Sequence, residues 1–200
     1  GKGIADSAPF ANFRWDPKVP GPKADLNEAK RLVALAKTEG WDGKIRLLSA
    51  NTPEGQTWGE AVASQLEAAG MVVDRQFSQD TNAVVSKVLV QRDYDLTTWA
   101  YGLLDESDNN YNQLNGTFAN GGRYGFSSPE ILAGIDGLRL ADTDAKRTEA
   151  YKKISEAWIA GVPAHVMVNY DQTIASTQKL NGLVRTGHSI VLFDKAWMEK

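Results

Sequence analysis

The sequence contains no cysteine. Disulfides, thiolate catalysis and cysteine-based zinc sites are therefore excluded. Only two histidines occur, His165 and His188, and neither has a second ligand at helical or strand spacing, so no metal site is expected. The chain also lacks a Gly-x-Ser-x-Gly elbow and a phosphate-cradling glycine-rich loop, two common signatures of hydrolases and nucleotide-using enzymes. Long apolar runs are missing: Met71–Val73 and Ile190–Phe193 are far too short to cross a bilayer. Positive charge is not in excess. A formal net charge of -3 without a basic stripe argues against a nucleic-acid partner and against a polybasic grip on anionic lipid. No basic segment followed by an apolar core opens the sequence, so the expectation is that a signal peptide either was never present or lies upstream.

What is present fits an ordinary globular protein. The 200 residues are 42% hydrophobic and 24% charged, enough for one large domain, with or without an appended arm. Pro9, Pro17, Pro20 and Pro22 keep residues 1–24 irregular, while Phe10, Phe13 and Trp15 mark this stretch as an arm laid against a surface. From Asp25 the periodicity sharpens. Asp25 and Glu28 form a capping box ahead of a helix with Leu26, Ala29, Leu32, Val33 and Ala36 on one stripe, stopped by Gly40. Lys44–Ala50 reads as a strand. Thr52-Pro53 opens a second helix with Trp58, Ala61, Val62 and Leu66 inward, and Gly70 ends it. Met71–Phe77 is the next strand, Thr81–Gln91 a third helix and Tyr94–Gly102 a third strand. Strand–helix–strand–helix–strand at this spacing implies parallel pairing through crossover helices.

Residues 102–127 differ. They are polar and rich in asparagine and glycine, and read as a long functional loop kept ordered by Tyr111, Phe118, Tyr124 and Phe126. Ser128-Pro129-Glu130 then starts a helix carrying Ile131, Leu132, Ile135 and Leu138. Asp142 or Thr143 caps another, with Ala150, Tyr151, Ile154 and Trp158 buried. His165–Tyr170 reads as a strand, and Asn181-Gly182 as a tight turn leading into a tail that ends at Phe193 and Trp197.

Open parallel sheets take ligands beyond the carboxyl ends of their strands. The third strand delivers Trp99 and Tyr101 to that edge, on one face, where they serve either as a ligand wall or as core. The segment beyond supplies Asp105, Asp108, Asn109, Asn110 and Tyr111. Aromatic rings beside carboxylates suit a ligand that is apolar along its length and cationic at one end. The alternative for the same carboxylates is a solvated turn. The enzymatic alternative is a small α/β hydrolase using Asp105 and Asp108 as an acid–base pair. Asn120–Tyr124 reads as a plain turn, and Asn115-Gly116-Thr117 as a chance match to a glycan acceptor.

Several local patterns occur in a fixed order: Asp25–Gly40 leading into a strand; Gln65–Gly70 followed by Met71-Val72-Val73; Asp93-Tyr94-Asp95 before an aromatic strand; Tyr124-Gly125-Phe126 before Ser128-Pro129-Glu130; then Arg147, Tyr151 and Pro163. From Trp15 to Trp197 this series resembles the C-terminal lobe of the peptide-, nickel- and oligosaccharide-binding family of ABC-transporter solute-binding proteins (extracellular solute-binding protein, family 5). The resemblance implies a periplasmic-binding-protein-like α/β lobe with a mostly parallel β-α-β-α-β core. It implies an arm over 1–24 that contacts an absent first lobe, a ligand-recognising lobe over 25–182, and a tail over 183–200 returning toward that first lobe. It further implies no enzymatic activity and no cofactor. The implied ligand is a solute, peptide-like by preference, and the implied partner a membrane permease. The implied location is periplasmic or extracellular, through an upstream signal or lipid anchor. A sensory receptor domain of similar fold is the third reading. In peptide-binding relatives an aspartate just past the aromatic strand accepts the ligand's α-amino group. Asp105 is the nearest match, with Leu104 standing where that aspartate often sits.

Overall fold

The central strand β2 (Lys44–Ala50) carries its charges, Lys44 and Arg46, in its first half and buries Leu47, Leu48 and Ser49 in its second, and it has neighbours on both sides. In the computed structural model, which describes residues 3–4, 7–100, 102–103, 106–119, 122, 125–170, 175–185 and 191–199, β2 pairs in parallel with β3 (Val72–Ser78) and with β4 (Leu96–Thr97). The sheet order is β3-β2-β4. Helix α2 (Pro53–Ala68) links β2 to β3. Helix α3 (Thr81–Ser86), continued by a π-turn over Lys87–Gln91, links β3 to β4. The expected parallel βαβαβ core is thus present, but the third strand is much shorter than Tyr94–Gly102. Its ladder stops once Leu96 and Thr97 have met Leu47 and Leu48.

The chain divides into two compact units, Lys23–Tyr101, and Gly1–Pro22 together with Gly102–Lys200. In the first, Leu47, Ala63 and Val73 form a core against which Ile45, Val62, Leu66 and Leu96 pack. The buried face of α2 centres on Gly59 and Ala63 rather than on the predicted Trp58 and Ala61, because the helix comes so close to the sheet that a Cβ at Gly59 would lie 3.0 Å from Ser49 Oγ and 3.1 Å from Phe77 Cε1. Helix α1 (Leu26–Thr38) is capped as expected, Asp25 accepting from the Glu28 N–H at 2.9 Å. Its predicted stripe is not buried as a whole. Val33 is covered, but Leu26 and Leu32 are about half exposed.

The other unit is built on three helices, α4 (Ser107–Phe118), α5 (Pro129–Leu140) and α6 (Asp144–Gly161). Ser128 and Thr143 supply the caps of α5 and α6. The buried residues Ile131, Ile135, Leu138, Ala150, Tyr151, Ile154 and Trp158 are those the period of the sequence selects. At Gly134 the two helices nearly touch: a Cβ there would lie 2.6 Å from Ile154 Cγ1 and 3.0 Å from the Ile154 backbone nitrogen. A two-residue strand β5 (Asn169–Tyr170) pairs with β1 (Gly3–Ile4) in place of the longer strand predicted over 165–170. The tail forms a nested antiparallel ribbon, β6 (Leu180–Asn181) on β9 (Trp197–Met198) and β7 (Val184–Arg185) on β8 (Val191–Leu192). Gly182 is a kink inside that ribbon, not its turn: at φ +75° it faces the Lys195 carbonyl so closely that a Cβ would clash. No helix among the described residues is long and apolar enough to cross a membrane.

Charge pairing fixes the sheet's lower end. Arg46 on β2 reaches Asp93 and Asp95, and Asp95 also accepts from the Arg46 backbone N–H at 2.8 Å. The hydrogen bond from the Arg46 guanidinium, aided by that from its backbone, holds the Asp95 carboxyl below its ordinary value. In the unfolded chain the carboxyl returns to about 3.9. The stabilisation it supplies is therefore complete above that value and is lost as pH falls through the lower, folded value.

Two measurements check this fold. Gly134→Ala is expected to push α5 from α6 and lower stability by about 1–3 kcal/mol in urea unfolding, because the obstructing atoms include backbone. Asp95→Asn is expected to flatten the loss of stability below about pH 4, with an effect at neutral pH under about 1 kcal/mol after solvent screening.

Candidate functional site

At the carboxyl end of the sheet the three strands finish at Ala50, Ser78 and Thr97. The chain after β2 is tied to the end of β3, the Asn51 N–H donating to the Ser78 carbonyl at 2.8 Å. Thr52 then caps α2, and Asp80 caps α3 by accepting from the Ala83 N–H at 2.7 Å. The Thr97 hydroxyl donates to the Leu48 carbonyl at 3.0 Å, which closes β4 onto β2. Because β3 and β4 flank β2, successive connections leave in opposite directions, the arrangement that opens a crevice beyond strand ends. Trp99 stands two residues past β4 and keeps 37% of its surface exposed. It is therefore a side chain of this edge and not of the core. Tyr101 lies outside the described residues.

The remaining predicted residues belong to the other unit, and there the expectation of a loop is corrected. Residues 107–118 form helix α4. Asn110, Leu114, Thr117 and Phe118 are its buried face, spaced i, i+4, i+7 and i+8. Half of that face is polar, so a hydrophobic period cannot reveal it. Asp108 is exposed in the first turn, where the helix dipole favours a negative charge, and the Ser107 hydroxyl donates to it at 3.4 Å. Asn109 donates from Nδ2 to the Gly102 carbonyl at 3.0 Å, tying the incoming chain to the helix start. Tyr111 is half-buried and stands three residues from Asp108, on the same side of the helix. Asp105 lies outside the described residues, two positions before the helix in sequence. The structure thus gathers Asp108, Asn109 and Tyr111 on one helical turn and leaves Trp99 on the other unit.

One residue of the same sequence cluster, Asn110, faces inward and anchors this turn. Asn110 has no exposed surface and donates from Nδ2 to the Tyr151 hydroxyl of α6 at 2.8 Å. A buried amide must find partners, and this bond sets the rotation of α4 about its axis. The signal in the sequence is the helical spacing from Asn110 to Leu114 and Phe118, legible only once asparagine is allowed an inward position. Thr117 is also buried and donates to the Gln113 carbonyl at 2.7 Å, so Asn115-Gly116-Thr117 sits within a packed helix, a poor glycan acceptor. Among the described residues no three His, Cys, Asp or Glu side chains are grouped to hold a metal ion.

Asn110→Ala is expected to lower stability by roughly 1–3 kcal/mol, because it removes a buried hydrogen bond and leaves a gap. Asp108→Asn is expected to change stability by no more than about 0.5 kcal/mol, as for an exposed side chain away from the core. Chemical unfolding of both variants checks the division between anchor and surface.

No protein-family model and no curated protein sequence matches this chain. Solved structures do. The dipeptide-binding protein of a Pseudoalteromonas species, in complex with Met-Leu, superposes over 100% of this chain and 41% of its own, with TM-score 0.76 and 16% identity. The oligopeptide-binding protein AppA of Bacillus subtilis, in complex with a nonapeptide, superposes over 100% of this chain and 43% of its own, with TM-score 0.78 and 17% identity. NikA of Staphylococcus aureus, in complex with Ni(L-His)2, covers 94% of this chain and 41% of its own, with TM-score 0.73 and 16% identity. The chain therefore spans about two-fifths of the length of these proteins. Such identities establish architecture: this chain has the α/β fold of a lobe of the peptide- and nickel-binding ABC solute-binding proteins.

Proposed function

We propose that this protein is the ligand-recognising part of an extracytoplasmic solute-binding protein that passes a peptide-like solute to an ABC permease. The observation that carries this reading is the superposition of the whole chain on binding proteins solved with a dipeptide and with a nonapeptide. The chemistry of the α4 turn supports it. An exposed carboxylate, an amide and a half-buried phenol on one helical turn can hold a cation and hydrogen-bond a backbone. Asp105, which the sequence places just ahead of that turn, is the proposed acceptor of the ligand's α-amino group, and Trp99 and Tyr101 are the proposed aromatic wall. An exposed Asp108 favours binding over acid–base catalysis, which relies on environments that set two carboxyl groups apart. The first lobe of the same protein, a permease, and a signal or lipid anchor upstream complete the proposal.

Mass spectrometry of small molecules released on unfolding the protein is expected to find short peptides, chemically intact. Hydrolysis of added peptides would instead restore the carboxylate-pair enzyme. In calorimetry with Met-Leu, Asp105→Asn is expected to weaken binding by about 2–5 kcal/mol, since the ligand's ammonium is left without its partner. N-acetyl-Met-Leu is expected to bind the unaltered protein as weakly. Equal affinity for the free and acetylated forms would remove Asp105 from the site. A two-lobed site also predicts that this chain alone binds roughly a thousandfold more weakly than a protein containing both lobes.

A further inference from the structure

The N-terminal arm ends its course on the same side chain that holds the candidate site's helix. Phe10, with 1% of its surface exposed, meets the Tyr151 ring edge-on at 4.7 Å between centroids. Trp15, 7% exposed, lies nearly parallel to that ring at 6.1 Å and 11°. Trp15 is itself fixed in place. Its indole N–H donates to Asp144 at 2.9 Å, and the guanidinium groups of Arg14 and Arg147 lie 5.1 and 5.5 Å from its ring centre. Tyr151 is fully buried, and its hydroxyl receives the Asn110 amide at 2.8 Å. Asn110 stands between Asn109 and Tyr111 on the first turns of α4. Arm, tyrosine, asparagine and site turn are thus consecutive contacts, and every interior member is buried.

We infer that Tyr151 is a positioning residue for the site turn: its ring receives the arm, its hydroxyl holds Asn110, and the placement of Asp108, Asn109 and Tyr111 therefore follows the placement of the arm. The assignment of a role in binding rests on the function proposed above; the mechanical link does not. A tyrosine is suited to this task because the ring that Phe10 and Trp15 touch and the hydroxyl that Asn110 meets belong to one rigid group. A ring displaced by the arm carries its hydroxyl with it, and Asn110 must follow or lose a bond that a buried amide cannot replace with water.

The test is hydrogen exchange resolved by segment in the protein, comparing α4 with α5 and with the C-terminal half of α6. Tyr151→Phe keeps the ring that Phe10 and Trp15 touch and removes only the hydroxyl. It is expected to speed exchange in the first half of α4 about tenfold or more, as for a buried amide left without its partner, with the arm and α5 little changed. Trp15→Ala is expected to speed exchange in the arm and in α4 together. In the Tyr151→Phe background it is expected to speed only the arm. The inference is overturned if Trp15→Ala leaves α4 unchanged, if α4, α5 and α6 rise together as in plain destabilisation, or if the Trp15→Ala effect on α4 persists without the hydroxyl. Met-Leu affinity separates the two claims. Weakening in Tyr151→Phe in step with the exchange of α4 supports the positioning role. A protein containing both lobes that binds no peptide sinks the proposed function, and the exchange pattern still decides the link.

Discussion

Tyr151 is a polar side chain with no access to water, and the helical unit is organised around satisfying it. Its ring is enclosed by Phe10 and Trp15, which come from a part of the sequence that proline keeps out of helix and strand. Its hydroxyl meets Asn110, on a helix with an Asn-rich sequence and weak intrinsic helical preference. Neither partner element would hold its course from local preference alone. Burial of a large aromatic with its hydroxyl satisfied supplies what both lack, since helix stability in proteins comes mainly from tertiary packing. A second aromatic group continues the same logic along α6. Trp158 meets Phe118 edge-on at 5.4 Å and donates its indole N–H to the Ala164 carbonyl at 2.8 Å.

How legible this was in the sequence depends on which physical signal marks each element. The caps of α1, α5 and α6 rest on Asp25, Ser128 and Thr143, side chains that bond to backbone three residues on, and those were readable. The β2–β3 ladder is readable from two short β-branched and leucine-bearing segments, each following the glycine that ends a helix, Gly40 and Gly70. The α4 helix was not, because Asn110 and Thr117 occupy inward positions that a hydrophobic pattern assigns to solvent. For α1 the difference runs the other way: leucine at helical spacing predicts burial, yet Leu26 and Leu32 remain half exposed. Apolar periodicity reports that a face could be covered. It does not report what is there to cover it.

The candidate site was legible as a cluster in sequence and less so as geometry. The sequence around Asp108, Asn109 and Tyr111 reads as a loop, whereas helical geometry gives them a definite arrangement, with Asp108 and Tyr111 on one side and Asn109 turned back to Gly102. The place of Trp99 follows, in the sequence, from a long third strand. The strand stops at Thr97, and the indole owes its exposure to lying beyond that stop.

The shortness of β4 also bears on how the protein behaves in concentrated solution. An edge strand invites a neighbouring molecule in proportion to the length of unpaired backbone it presents. With two residues in register, β4 offers too little ladder to template such an addition. The opposite edge, β3, is longer, with seven residues, and carries Asp74 and Arg75 side by side near its middle, charges that a second strand would have to desolvate. One edge is blunted by brevity and the other by charge, so the sheet can keep a stack of three strands without becoming a seed for intermolecular β-structure.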